Sequence, residues 1–319
     1  MKNLTRRKFT KNAWYAALSL PIVSQIGFDN KPVGATKNPI CIFSKHLQWL
    51  DFEDMGKFAK DLGFDGVDLT VRKGGHVLPE EVERVLPGAI EKIKKSGIEV
   101  PMMATDINDA DHPFTLPVLK TAGENGIKMY RMAYQKYDPN LEIEEYLNSL
   151  ALKLRKIGDM SRKYGLQAMY QNHDGERVGA AVWDIYYALR KAGHPNLGLQ
   201  YDPRHATVEG GFSWVYDMKL VREMIITTVA KDFHWEKRED GRWRVKNVPL
   251  GKGMVDFKRF FKLYKEYGIQ GPITVHVEYP MFSDDEDKLS MKQKFKEATE
   301  VLTYELGALR KFMTEAEIY

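Results

Sequence analysis

Tyr164-Gly165-Leu166-Gln167-Ala168-Met169-Tyr170-Gln171-Asn172-His173 compresses a helix end, a buried strand and a set of polar groups into one short run. An amphipathic stretch stops at Tyr164. Gly165 takes the position where the backbone leaves a helix in the left-handed region, which costs glycine least. A short apolar run follows, as a buried strand requires. The same unit recurs along the chain. Leu62-Gly63-Phe64 precedes 66–70, Ser96-Gly97-Ile98 precedes 99–104, and Asn125-Gly126-Ile127 precedes 128–133. Ala192-Gly193 precedes 197–201, and Tyr267-Gly268-Ile269 precedes 273–277. Two further runs, 39–43 and 225–231, bring the strands to eight. Helices are predicted between them at 51–62, 79–95, 115–122, 141–164, 178–192, 213–221, 256–267 and 287–312. Strict alternation of strand and helix predicts a parallel sheet, and eight units predict closure into an α/β (β/α)8 TIM barrel. An open, doubly wound sheet is the alternative, but no Gly-x-Gly-x-x-Gly follows any strand.

The 319 residues suit one such barrel, and 43% apolar with 29% charged residues excludes a disordered chain. Cys41 is the sole cysteine, so an intrachain disulfide and a cysteine-rich zinc site are excluded. The beginning of the chain is set apart. Arg6-Arg7-Lys8-Phe9-Thr10-Lys11 and the weakly apolar 13–23 after it resemble a twin-arginine export signal. The apolar stretch is too short and interrupted for a stable membrane span. We therefore expect residues 1–35 to be signal and linker, residues 36–319 to be the barrel, and the protein to be periplasmic. Residues 1–35 carry six Lys/Arg and one Asp. Removing that +5 segment from a +4 chain leaves a domain near −1. A near-neutral domain lacks the basic surplus of a nucleic-acid binder.

Residues 233–250 form a long link after the seventh strand, and Asp240-Gly241 within it is a hairpin signal. A hairpin insertion is expected there, standing over the barrel mouth with Trp235 and Trp243 available to stack on a sugar ring.

Chemistry in such barrels sits at the C-terminal strand ends. Lys45 and His46 follow the first strand, and Arg72 and His76 the second; Arg131 lies on the fourth. Gln171-Asn172-His173 ends the fifth, Asp202-Pro203-Arg204-His205 the sixth, Lys231-Asp232-Phe233-His234 the seventh, and the eighth carries His276 and Glu278. Seven of the eight histidines fall at or beyond these ends; His194 alone lies on the opposite side. Imidazole serves both metal binding and proton transfer near neutrality. Asp202-x-x-His205 with Glu278 and Gln171 makes a mixed nitrogen and oxygen donor set, suited to Mn, Mg, Co or Zn.

Asn172-His173, Asp202-x-x-His205, Lys231-Asp232, the Gly251–Asp256 turn and Glu278 resemble the xylose-isomerase-like barrel superfamily of sugar phosphate isomerases and epimerases. The resemblance spans roughly 38–312. It implies one divalent metal ion near the barrel axis, with Gln171, Asp202, His205 and Glu278 as ligands. Two positions depart from the pattern: Gln171 stands where a Glu is usual, and Val229 where a His is common. The first departure leaves a mechanism with two carboxylate bases short of one base.

These readings combine into an expected function: metal-dependent proton abstraction next to a sugar carbonyl, as in an isomerase or epimerase, on a non-phosphorylated sugar. Lys45, His46, Lys231 and Glu278 are the catalytic candidates. Arg72, His76, Arg131, His173, His234 and Trp235 are the substrate-binding candidates. A lyase that performs β-elimination on an oxidised (3-keto) glycoside uses the same first step. Two rivals differ in kind. An endonuclease IV-like phosphodiesterase would want more metals and a basic groove. A non-catalytic periplasmic sugar-binding barrel would have lost its metal.

Overall fold

The computed structural model describes residues 38–319. The expected signal and the start of the expected domain, residues 1–37, lie outside them. Eight parallel strands close into a barrel in the order β1-β10-β7-β6-β5-β4-β3-β2. They are β1 (Ile40–Phe43), β2 (Gly66–Val71), β3 (Glu99–Thr105), β4 (Met129–Arg131), β5 (Gln167–Gln171), β6 (Leu197–Tyr201), β7 (Ile225–Ala230) and β10 (Ile273–Val275). The helices that alternate with them are α1 (Phe52–Leu62), α2 (Val82–Lys95), α3 (Thr115–Glu124), α4 (Ile143–Lys163), α5 (Val182–Ala192), α6 (Pro203–Gly210), α7 (Trp214–Val221), α8 (Phe257–Glu266) and α9 (Met291–Glu315). The expected TIM barrel is thus the observed fold.

The glycines at 63, 97, 126, 165, 193 and 268 all have positive φ, so the six helix stops read from the sequence occur as such. Outward strand residues such as Ile42, Leu69, Tyr130 and Leu199 join the helices in the main core. Met102, Met129, Met169 and Ile226 form a separate small cluster. The three methionines alternate with outward Met103, Tyr130 and Tyr170, which places the cluster inside the barrel, and Ile226 joins it where the β6–β7 register shifts.

Several boundaries differ from expectation. β10 stops at Val275, because the N–H of Val277 is taken by the His46 ring instead of a neighbouring strand (2.9 Å). β4 covers only three residues, yet Met132 and Ala133 still donate to Met169 and Ile107 (both 2.8 Å). The helix expected from 178 begins at Val182, and the one expected from 287 begins at Met291 behind a Ser290–Gln293 capping box. Residues 79–81 form a 3-10 turn ahead of α2. Helix α6 was not expected; Asp202 caps it by accepting from the amides of Arg204 and His205.

β8 (Asp232–Lys237) and β9 (Trp243–Val248) pair antiparallel after β7, with Gly241 at φ +82°, as the Asp-Gly signal implied. Asp232 anchors the return of this hairpin. Its carboxylate accepts from the amides of Gly251 (3.0 Å), Gly253 (2.9 Å) and Val255 (3.1 Å). The Gly251–Asp256 turn thereby wraps a side chain of the protein itself, and Asp256 caps α8 through the amide of Arg259. Among the described residues, no helix is long and apolar enough to cross a membrane.

Candidate active site and metal centre

Alternation along β5 and β6, together with the strand ends of β7 and β10, points Gln171, Asp202, Lys231, His276 and Glu278 toward the mouth of the barrel. At their centre is the Lys231 side chain, 4% exposed. Its Nζ lies 2.7 Å from His205 Nε2, 3.1 Å from Asp202 Oδ2 and 3.8 Å from Glu278 Oε1. A buried ammonium has three protons to place; His205 and Asp202 lie within hydrogen-bond reach, and Glu278 faces it at ion-pair distance.

Asp202 divides its two oxygens. Oδ1 caps α6, and Oδ2 accepts from Gln171 Nε2 (2.8 Å) and faces Lys231. Burial alone would raise this carboxyl, but His205, Lys231 and Arg204 bring it down to about 2. Gln171 is bonded at both ends. Its oxygen accepts from Arg131 Nη1 (2.8 Å) and the Tyr134 hydroxyl (2.7 Å), which fixes its NH2 against Asp202.

His205 also has two faces. Nε2 faces Lys231, while Nδ1 lies 2.8 Å from Asp174 Oδ1 and 2.7 Å from Arg204 Nη1. Burial keeps this ring neutral, with its pKa lowered to about 3. His173 stacks on it with centroids 3.8 Å apart, and its own Nδ1 is 3.0 Å from the same oxygen of Asp174. Burial acts to raise Asp174, but the bonds from His173 and His205 and the guanidinium of Arg204 (2.7 Å) outweigh it and hold the carboxyl far below its usual range.

The ligand atoms of His173, Asp174 and His205 all lie within 4.8 Å of one another, a group that could hold a metal ion. Two imidazoles and a carboxylate fit a zinc-like ion. This set shares only His205 with the ligands expected from sequence. Gln171, Asp202 and Glu278 gather instead around Lys231.

Glu278 is the open edge of the centre. Its side chain is 28% exposed, whereas that of Asp202 is fully buried. The nearby His276, then Lys231 and Lys45, hold its carboxyl well below the usual range. The His276 ring approaches Glu278 Oε1 at 3.6 Å, a close contact longer than a hydrogen bond. That ring stacks on Phe43 (4.3 Å between centroids), and neither of its nitrogens has a partner. Burial lowers it to about 4. Lys45, 47% exposed, completes the rim at 3.9 Å from Glu278.

The xylose isomerase-like TIM barrel family matches residues 57–303, most of the chain. This protein belongs to that family. Solved structures similar to it include the probable 3-DHS dehydratase AsbF of Bacillus anthracis (16% identity, TM-score 0.64, covering 85% of this chain and 98% of that one). The D-allulose 3-epimerase of a Methylomonas species, solved with D-allulose, is 14% identical (TM-score 0.62, 89% and 98% covered). The IOLI protein, solved with a bound zinc atom, is 16% identical (TM-score 0.65, 86% and 99% covered). At these identities the likeness is one of fold. No curated protein matches the chain by sequence.

Within this xylose isomerase-like barrel the other residues named from sequence divide into two groups. Arg131 lies in the centre through Gln171, and His46 lines its wall by holding Val277. Arg72 lies over the Phe43 ring at 5.5 Å. His76 is tied at both ring nitrogens, to Thr70 Oγ1 (3.1 Å) and the Leu47 carbonyl (3.2 Å), and so joins two segments of the rim. His234 is half-buried at the hairpin root, and Trp235 and Trp243 are exposed on the hairpin. His194, on the far side, packs against α4, where a Cβ on Gly158 would fall 2.5 Å from its ring.

Four contributors were not picked out from the sequence. Tyr134 and Asn247 carried no signal. Arg204 stood inside a motif whose other members drew attention, and Asp174 directly follows Gln171-Asn172-His173. Asn247 accepts from Arg204 (2.6 Å) and donates to the Glu278 carbonyl (3.1 Å), so the hairpin root is joined to the centre.

Proposed function

We propose that this protein is a carbohydrate-acting enzyme that removes the proton next to a sugar carbonyl. The favoured outcome is β-elimination from an oxidised, non-phosphorylated glycoside. The observation that carries the reading is the asymmetry of the carboxyl groups. Of the three groups that face the axis, Glu278 reaches solvent, Asp202 is buried as a helix cap and Gln171 is an amide, while Asp174 is tied up by His173, His205 and Arg204. A centre with one accessible carboxylate suits one-base chemistry better than epimerisation between two bases.

In a 3-keto glycoside the C2–H is acidified by the C3 carbonyl. Glu278 takes that proton while Lys231 donates a hydrogen bond to the developing enolate oxygen. The electron pair then forms the C1=C2 bond, the C1–O bond breaks, and the departing alkoxide takes a proton from the rim, where Lys45 stands. A carboxylate pressed by cations is a weak base. Drawing Lys231 onto the substrate oxygen relieves Glu278 of one cation and restores part of its basicity. A divalent ion at His173, Asp174 and His205 would supply further electrophilic stabilisation of substrate oxygens. Arg131 and Tyr134 hold Gln171, and thereby Asp202, in place.

The expected export signal supports an uncharged substrate, because sugar phosphates are retained in the cytoplasm, and the exposed hairpin tryptophans suit an uncharged ring. The test offers one sugar in free, phosphorylated and 3-keto-glycoside form, alongside fractionation of the source cells. We expect turnover of the keto-glycoside by a periplasmic protein. Turnover of phosphates only, or a strictly cytoplasmic protein, overturns the substrate reading.

A further inference from the structure

Asp202, Glu278 and Gln171 converge where the axial strands end, as residues gathered around a cation do. The cation they gather around belongs to the chain. We propose that the Lys231 ammonium is the resident cation of this centre, and that it keeps a divalent ion from being held between Asp202 and Glu278.

The first argument is distance. A metal bound to carboxylate oxygens sits roughly 2.0–2.2 Å from them. Lys231 Nζ already lies 3.1 Å from Asp202 Oδ2 and 3.8 Å from Glu278 Oε1, the same two oxygens. An ion bridging them would press against a positive charge buried from water. The second argument is the fixed position of that group. Nζ is fixed on a third side by His205 Nε2 at 2.7 Å, and that ring is itself fixed by Asp174. The third is donor chemistry. The Gln171 oxygen is occupied by Arg131 and Tyr134, and the face it turns to Asp202 is an NH2, which repels a cation. Val229, one register step below Lys231 on the same face, is buried and apolar, and offers no ligand. Asp202 and Glu278 already face the ammoniums of Lys231 and Lys45, so the two carboxylates are balanced without a metal.

The consequence is a division between neighbouring places. His205 turns Nε2 to Lys231 and Nδ1 to Asp174. The place left for a divalent ion is the Nδ1 side, with His173 and Asp174, displaced from the barrel axis, and an ion held there would take the place of a proton on Nδ1. The charge-stabilising role at the axis falls to an ammonium, as a hydrogen-bond donor. That catalytic corollary rests on the proposed proton abstraction; the exclusion of metal does not.

The test reads metal content, so a failed substrate screen leaves it standing. Wild-type protein, Glu278→Gln and Asp174→Ala are equilibrated with Mn2+ or Zn2+, desalted, and assayed for bound metal and affinity. Glu278 is partly exposed, so its amide variant is expected to fold. Glu278→Gln should leave metal content and affinity at the wild-type value, and Asp174→Ala should abolish any metal the wild type holds. A tenfold or greater loss of affinity in Glu278→Gln overturns the proposal. In a second arm, Lys231→Met combined with Gln171→Glu should gain about one further ion per chain, binding at least a hundredfold tighter than the wild type does at that place. Adding Glu278→Gln to that variant should remove the gain. A folded double variant that gains no ion also overturns the proposal.

Discussion

Asp68 lies inside the barrel on β2, fully buried, with one carboxyl oxygen unpaired. Burial raises it to about 7, against the pull of Arg131 and Arg72. The folded value thus exceeds the unfolded one, about 3.9. The stability that Asp68 contributes is fully present below about pH 4 and is lost as the pH rises through about 7. Asp68→Asn keeps the shape and removes the titration. Its stability relative to wild type should therefore improve between pH 4 and pH 8, by on the order of a few kcal/mol. Denaturant unfolding at both pH values measures this, and a pH-independent difference would contradict it. Residues of the site were legible where a strand end placed them: Asp202, His205, Lys231 and Glu278 all meet. Tyr134, Asp174, Arg204 and Asn247 were not, because they act through long-range hydrogen bonds to those residues. No local pattern encodes such bonds, and the role of Gln171 depends on one of these partners, Tyr134, and on Arg131.

The hairpin of β8 and β9 joins two functions along its length. Its root is tied to the centre by Asn247, while its tip carries exposed Trp243 and an Asp240–Arg242 pair in water. Exposed pairs of that kind contribute little to stability. Replacing residues 237–243 with a two-residue turn, and leaving Asn247 in place, should raise KM roughly tenfold, the worth of one aromatic contact with a sugar ring. The melting temperature should move by no more than a few degrees. Steady-state kinetics with thermal unfolding reads both, and a large loss of stability at unchanged KM would assign the tip to structure. At this scale the sequence signals differed in strength. Asp240-Gly241 marked its turn correctly because an Asp-Gly pair has few other uses between alternating residues. Helix α6 escaped notice because eight residues are too few to display a helical period, although Asp202 before Pro203 is a sound cap.

The whole barrel was the most legible level. Six helix stops demand the same left-handed backbone, glycine meets that demand at least cost, and each stop feeds a buried strand. Such repetition survives errors of a few residues at any one boundary. The choice of reaction did not share that redundancy, since it depends on the protonation and exposure of a single group. Glu278 is that group, and the fate of one substrate hydrogen tests it most directly. A 3-keto glucoside with a nitrophenol aglycone, followed by proton NMR during turnover, reports the C2–H and the released phenol together. With the wild-type protein, loss of the C2–H should accompany release of the phenol, and Glu278→Gln should slow both by at least roughly a hundredfold. Release of the phenol with the C2–H intact would be hydrolysis, and would contradict proton abstraction at this centre.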